Sequence, residues 1–246
     1  MTDSLLAVRG LETTTRAFRT RLIALGADFS VDPNWLAAVI SFESAGTFAS
    51  NVTFGGGHYR GPQDNAKAVG LIQFTNTALA AMASRGAVVT KAQLAAMLPE
   101  DQLNWVKIYL ATVLGSRQML NIGDVYMAVF APMAVGKPDS QVLYLSPTPA
   151  YTANRALDRN GDGTITRGEA SAPVKAILAE AARRGPLPPA AGGEGDALAA
   201  FPDSGRSSVD DLTSIRQSVA DARTEICARL DTVNASLREI TSRLGG

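Results

Sequence analysis

The stretch Ser30-Val-Asp-Pro-Asn-Trp-Leu-Ala-Ala-Val-Ile-Ser-Phe-Glu-Ser-Ala-Gly46 decides how the rest of the chain is read. Asp32 can accept from the free N–H groups of a helix start, and Pro33 brings the φ that the first helical position needs. Gly46 is the expected C-cap, so the segment reads as a helix of about three turns. Counted from Leu36, residues Val39, Ile40 and Glu43 follow at i+3, i+4 and i+7, which puts a carboxylate on the core-facing side. Desolvation and the negative end of the helix dipole both favour the protonated carboxyl, so the pKa of Glu43 is expected to be raised. A general acid working near neutral pH needs that shift, because it must hold its proton until the leaving group departs. The alternative from position alone is a last-turn glutamate at the surface or paired with an arginine.

Outward from this helix, apolar residues keep helical spacing from residue 5 to about 183, with few alternating β-branched runs. A mainly α globular body over residues 1–183 is expected. The chain has 246 residues, 23 basic and 23 acidic, with one cysteine and one histidine. A disulfide framework and a structural zinc site are thereby excluded. Zero formal charge and no basic patch argue against a nucleic-acid partner. No apolar run reaches the roughly 18 residues of a membrane span. The N-terminal apolar run breaks at Arg9 without a small-residue cleavage site, so no signal peptide is expected and synthesis in the cytoplasm is.

Residues 184–206 are rich in Pro, Gly and Ala and read as a flexible linker. Residues 207–246 then carry a heptad pattern, with Val209, Leu230, Leu237 and Leu244 at a and Leu212, Val219, Ile226, Val233 and Ile240 at d. Arg216 and Arg223 fill two further a positions, and Cys227 lies beside the seam at e. The pattern predicts a coiled-coil helix that makes a homo-oligomer or docks on a partner, against an amphipathic helix folded back on the body.

Beyond Glu43-Ser44 and the stretch Phe54-Gly-Gly-Gly-His-Tyr-Arg-Gly61, the chain reads Ala68-Val-Gly-Leu-Ile-Gln-Phe-Thr75. This pair of motifs resembles the lytic transglycosylases with a lysozyme-like fold, soluble and phage-borne forms among them. The likeness extends over residues 18 to about 180. It implies that Glu43 is the catalytic acid/base and that Ser44, Gln73 and Phe74 line a sugar cleft. Asp124-Val-Tyr-Met-Ala-Val-Phe-Ala-Pro132 looks like the family's third helix segment, with Phe130-Ala-Pro where a Tyr-Asn pair often sits. Tyr126 and Tyr151 are then the candidates for holding the substrate's N-acetyl arm, with core packing as the alternative for each.

The implied substrate is the glycan strand of peptidoglycan, cut between N-acetylmuramic acid and N-acetylglucosamine. Glycoside hydrolysis ordinarily takes two carboxylates, whereas the resemblance implies one glutamate acting first as acid and then as base, leaving 1,6-anhydro ends. The nearest further carboxylates are Asp64, Glu100, Asp101 and Asp124, and none lies in a second-acid motif. Asp64 could orient a water, which keeps a hydrolytic muramidase open. His58 has no G-x-S-x-G nucleophile elbow to serve, and the Gly55–Gly57 run lacks phosphate-loop spacing.

Asp158-Arg-Asn-Gly-Asp-Gly-Thr-Ile-Thr-Arg-Gly-Glu169 fits the twelve-residue EF-hand pattern, and calcium is the expected cation. Asp158, Asn160, Asp162 and Glu169 offer side-chain oxygens, Thr164 its carbonyl and Thr166 a water-mediated contact, while Gly163 allows the turn and Ile165 packs inward. A solvated Asx-turn loop is the alternative. A lone loop of this kind suits a structural ion, and some lysozyme-like transglycosylases carry one. The expected protein is a calcium-stabilised lytic transglycosylase, carried by a phage or phage-like particle to reach the cell wall. Its rivals are a muramidase and a non-catalytic wall-binding or particle protein.

Overall fold

The computed structural model describes residues 4–53, 56–61 and 66–189. The expected coil of 207–246, Asp64, Cys227 and most of the expected linker lie outside the described residues. A 3-10 turn at Leu11–Thr13 leads into α1 (Arg16–Asp28), where the Thr15 hydroxyl accepts from the Phe18 N–H at 3.0 Å. α2 (Pro33–Glu43) follows, started as expected by Pro33 and by Asp32, whose carboxylate accepts from the Asn34 N–H at 2.8 Å. A short antiparallel hairpin, β1 (Ala68–Val69) with β2 (Phe74–Thr75), pairs Ala68 with Thr75 and Val69 with Phe74. The helices α3 (Asn76–Ala83), α4 (Lys91–Ala96), α5 (Pro99–Leu114) and α6 (Ile122–Phe130) come next. Strand β3 (Val142–Leu145), α7 (Pro149–Asn154), strand β4 (Thr164–Thr166) and α8 (Arg167–Arg184) complete the body. The described chain is mainly helical, as its periodicity predicts.

α2 is the centre of the molecule, with α1, α6 and α8 packed around it. Every residue from Leu36 to Glu43 is buried, so this part of the helix has no solvent face. Periodicity alone predicts a single buried stripe. The uniformly apolar or small residues, such as Ala37, Ala38 and Ser41, instead let three neighbours approach on all sides. The core continues through the edge-to-face pairs of Phe18 with Phe48 at 5.6 Å and Phe74 with Tyr109 at 6.1 Å.

Two boundaries differ from expectation. Ser44, not Gly46, caps α2, and Ala45 takes the left-handed conformation at φ 64° with its N–H directed to Phe42 O. Gly46 comes two residues after the cap and closes the turn by donating to Ser41 O at 2.7 Å. Its backbone lies so close to Gly10 that a Cβ added to Gly10 would be 1.8 Å from Gly46 O. The body also runs past residue 183. Leu187 N–H donates to Leu5 O at 2.7 Å, Ala7 N–H to Gly185 O at 2.9 Å, and Arg19 Nη1 to Pro188 O at 2.8 Å. Residues 184–188 therefore close the body, although their Pro and Gly content reads as linker.

Candidate active site and cation loop

Glu43 ends the central helix and is 7% exposed. Its neighbour Ser44 is fully enclosed, with Oγ accepting from the Phe48 N–H at 3.1 Å. That bond pins the chain where it leaves α2. Phe48 itself is left-handed at φ 52°, so two non-glycine residues within five of the carboxylate, Ala45 and Phe48, hold backbone conformations that cost about 1 kcal/mol or more each. Such conformations persist where surrounding structure over-determines them, and they concentrate at functional sites.

The third left-handed residue of this region is Gln73, at φ 53° in the β1–β2 turn. Its Nε2 donates to Gly70 O at 2.9 Å and Val52 O at 3.2 Å. Its Oε1 is buried and has no hydrogen-bond partner among the described residues. The turn is fastened from below by Gln102 of α5, which carries no local mark in the sequence. Gln102 accepts from Leu71 N–H at 2.7 Å and donates to Ser50 O at 3.0 Å and Leu94 O at 2.8 Å. Gly70 must be glycine here, because a Cβ would meet Gln102 Oε1 at 2.3 Å and the backbone is left-handed. The Gly-Leu-Ile-Gln segment is thus locked to residues 50–53, which follow the Glu43 turn. Phe74 points the other way, 1% exposed against Tyr109, and supports the hairpin from the core side.

On the opposite side, α6 brings Tyr126 to the ring of Phe42, edge-to-face at 5.6 Å. Tyr126 is wholly buried and stacks on Phe130 at 5.4 Å with an interplanar angle of 9°. Phe130 then meets Tyr144 of β3 at 6.1 Å. A continuous aromatic row, Phe42–Tyr126–Phe130–Tyr144, therefore runs outward from the residue beside Glu43, ending at the half-buried Tyr144. Phe130 is an integral part of that row. Ser44, Phe74 and Tyr126, expected to line a cleft, are all buried. Tyr144 gives no signal in sequence, because nothing local marks which strand will pack on α6.

Of the further carboxylates named in the sequence, the three among the described residues are engaged elsewhere. Asp101 pairs with Arg21, and Glu100 accepts from the Thr15 hydroxyl at 3.2 Å, both on the α1–α5 surface. Asp124 is 1% exposed and bound by Arg167 at 2.7 Å, by Gly136 N–H at 2.7 Å and by Leu120 N–H at 2.9 Å. Its role is to anchor α6. His58 lies at the surface, its Nδ1 3.2 Å from Asn51 Oδ1.

In the 158–169 loop Gly163 is left-handed at φ 83° and Ile165 is fully buried. Asp158 Oδ1 and Oδ2 accept from the N–H groups of Gly161 at 2.8 Å and Gly163 at 3.0 Å. Asp162 Oδ1 accepts from the Thr164 N–H at 2.8 Å and hydroxyl at 2.7 Å, and the hydroxyl contact, first among several, holds the Asp162 carboxyl below the usual range. Tyr151 bonds this loop. Its hydroxyl donates to Asp158 Oδ2 at 2.6 Å, which lowers the pKa of that carboxyl and raises that of the phenol. Glu169 uses Oε2 in a capping box with Thr166 at the start of α8, while its Oε1 is buried without a hydrogen-bond partner among the described residues. Among the described residues no three acidic, His or Cys side chains already converge on one point. The donor set and turn nonetheless fit a hard divalent cation, and Glu169 Oε1 is a buried acceptor still to be satisfied. No family model, curated protein or solved structure matches this chain.

Proposed function

We propose that the body is a lysozyme-like lytic transglycosylase acting on peptidoglycan glycan strands, with Glu43 as acid and base. The observation that carries the reading is a carboxylate ending a buried central helix, followed by left-handed Ala45 and Phe48. The Glu43 carboxyl donates its proton to the glycosidic oxygen between N-acetylmuramic acid and N-acetylglucosamine as that bond breaks. The substrate's own N-acetyl group supports the positive charge at the anomeric carbon. The Glu43 carboxylate then takes the proton of the 6-hydroxyl, whose oxygen bonds the anomeric carbon and closes a 1,6-anhydro ring. The glutamate ends as it began, and no water is consumed. Among the described residues Glu100, Asp101 and Asp124 are each held by other partners, so none of these three is taken as the second carboxylate of a hydrolase; Asp64 lies outside those residues.

Calcium is proposed for the 158–169 loop, held by Asp158, Asn160, Asp162, Thr164 O and Glu169, where it would neutralise the clustered carboxylates and hold the loop closed. The heptads of 207–246 are proposed to dock the enzyme on a second copy or on a component of a phage or phage-like particle. Among the described residues no helix is long and apolar enough to cross a membrane. Release of soluble fragments from purified peptidoglycan tests the reading: Glu43→Gln should lower the rate at least about 100-fold with unchanged circular dichroism. Comparable rates for both proteins would overturn it.

A further inference from the structure

The cation loop and the aromatic row are joined by two separate connections that meet at the first turn of α8. The first is a strand pair. β4 lies inside the loop, between Asp162 and Glu169, and pairs with β3 in the register Val142–Thr166, Tyr144–Ile165 and Leu145–Thr164. Backbone bonds extend the zipper at both ends, from Ser146 N–H to Gly163 O at 2.8 Å and from Arg167 N–H to Gln141 O at 2.8 Å. Gly168 N–H adds a further bond to Asp139 O at 2.9 Å. The loop's strand thus carries β3, and β3 carries Tyr144, the outer member of the row.

The second connection is ionic. Arg167, the tenth loop residue, is 3% exposed and reaches Asp124 Oδ1 at 2.7 Å, Asn121 Oδ1 at 3.0 Å and the Asp139 carboxylate. Asp124 and Asn121 stand at the start of α6, the helix that bears Tyr126 and Phe130. One loop therefore fixes both elements that form the Phe130–Tyr144 contact. Glu169 adds a choice between two partners: one carboxylate oxygen caps α8 while the other is buried and unsatisfied, so a cation drawing on Glu169 acts directly on that same first turn.

We infer that cation binding in the 158–169 loop and glycan binding at Tyr144 are thermodynamically coupled through the β3–β4 pair and Arg167, with Tyr144 as a substrate-positioning residue. The inference rests on the transglycosylase reading for the presence of a glycan at the row. Coupling of this kind is reciprocal: whatever factor calcium contributes to glycan affinity, glycan contributes to calcium affinity. An aromatic face suits the task, because the apolar face of a sugar ring packs on it while the hydroxyls stay wet.

The test is isothermal titration of the full chain with calcium, with and without saturating chitohexaose, and the converse titration of chitohexaose with and without calcium. Catalysis is removed by using Glu43→Gln throughout. Each ligand should tighten the other by the same factor, about 5-fold or more. Tyr144→Ala should bring that factor towards one while leaving calcium affinity without sugar unchanged, a result that a merely structural role for Tyr144 would not give. Independent binding of both ligands overturns the inference, as does full coupling in Tyr144→Ala. Sugar binding without any calcium binding overturns it and spares the enzyme reading. Failure of chitohexaose to bind under any condition overturns the inference together with the glycan reading.

Discussion

Gln102 shows how one residue can hold a candidate site without touching its chemistry. Fully buried, it accepts from the β1–β2 turn and donates to residues 50 and 94, so three segments distant in sequence share one amide. Gln102→Ala leaves the Leu71 N–H and the Ser50 carbonyl without this partner and removes one of two donors from Leu94 O, and should lower unfolding free energy by about 3 kcal/mol in chemical denaturation. A change under about 0.5 kcal/mol would show that the turn is held by other means. The contrast with Glu43 explains what sequence can show at this scale. Asp32, Pro33 and the apolar i+3/i+4 spacing announce the α2 helix, so the burial of a carboxylate at its end follows from local pattern alone. A glutamine in α5 looks like an ordinary surface residue, because its three partners are set by tertiary packing. The left-handed Ala45, Phe48 and Gln73 are equally invisible in sequence, since none is a glycine.

Among the elements, the β3–β4 pair and the start of α8 show a similar division. The spacing of residues 158–169 marks Gly163 for a turn and Ile165 for an inward position, and both are so placed. Nothing local names β3 as the partner, or Asp139 as the residue joining them. Asp139 lies between Arg167 and Lys175, and the hydrogen bond from Lys175, first among these influences, holds its carboxyl below the usual range. A carboxyl whose pKa is lower folded than unfolded contributes stability above the unfolded value, near pH 4, and loses it as pH falls through the folded value. Chemical denaturation between pH 6 and pH 2 should therefore show an acid-side loss of stability that is shallower in Asp139→Asn. Identical pH profiles would mean that Asp139 makes the same contacts in the unfolded chain.

At the scale of the whole molecule, the two ends of the body are fastened to one another, with Leu5–Ala7 against Gly185–Leu187 and Arg19 on Pro188. A chain ending at residue 189 should keep the fold, while one ending at 183 loses these hydrogen bonds and about 2 kcal/mol, seen as a Tm lower by about 6 °C. Equal melting temperatures would place the true boundary where composition puts it. Composition misplaces that boundary because Pro and Gly content marks flexible chain and tight closure alike. The mainly α architecture is legible from periodicity, whereas the central position of α2 depends on which helices pack around it, and no local pattern encodes that. The central helix and its terminal glutamate carry the proposed chemistry, and the most direct test is the mass of the products. Fragments released from purified peptidoglycan by the full chain with calcium should be lighter by one water than hydrolytic muropeptides, and absent with Glu43→Gln. Fully hydrated reducing ends would contradict the single-carboxylate scheme and require a second acid to position a water.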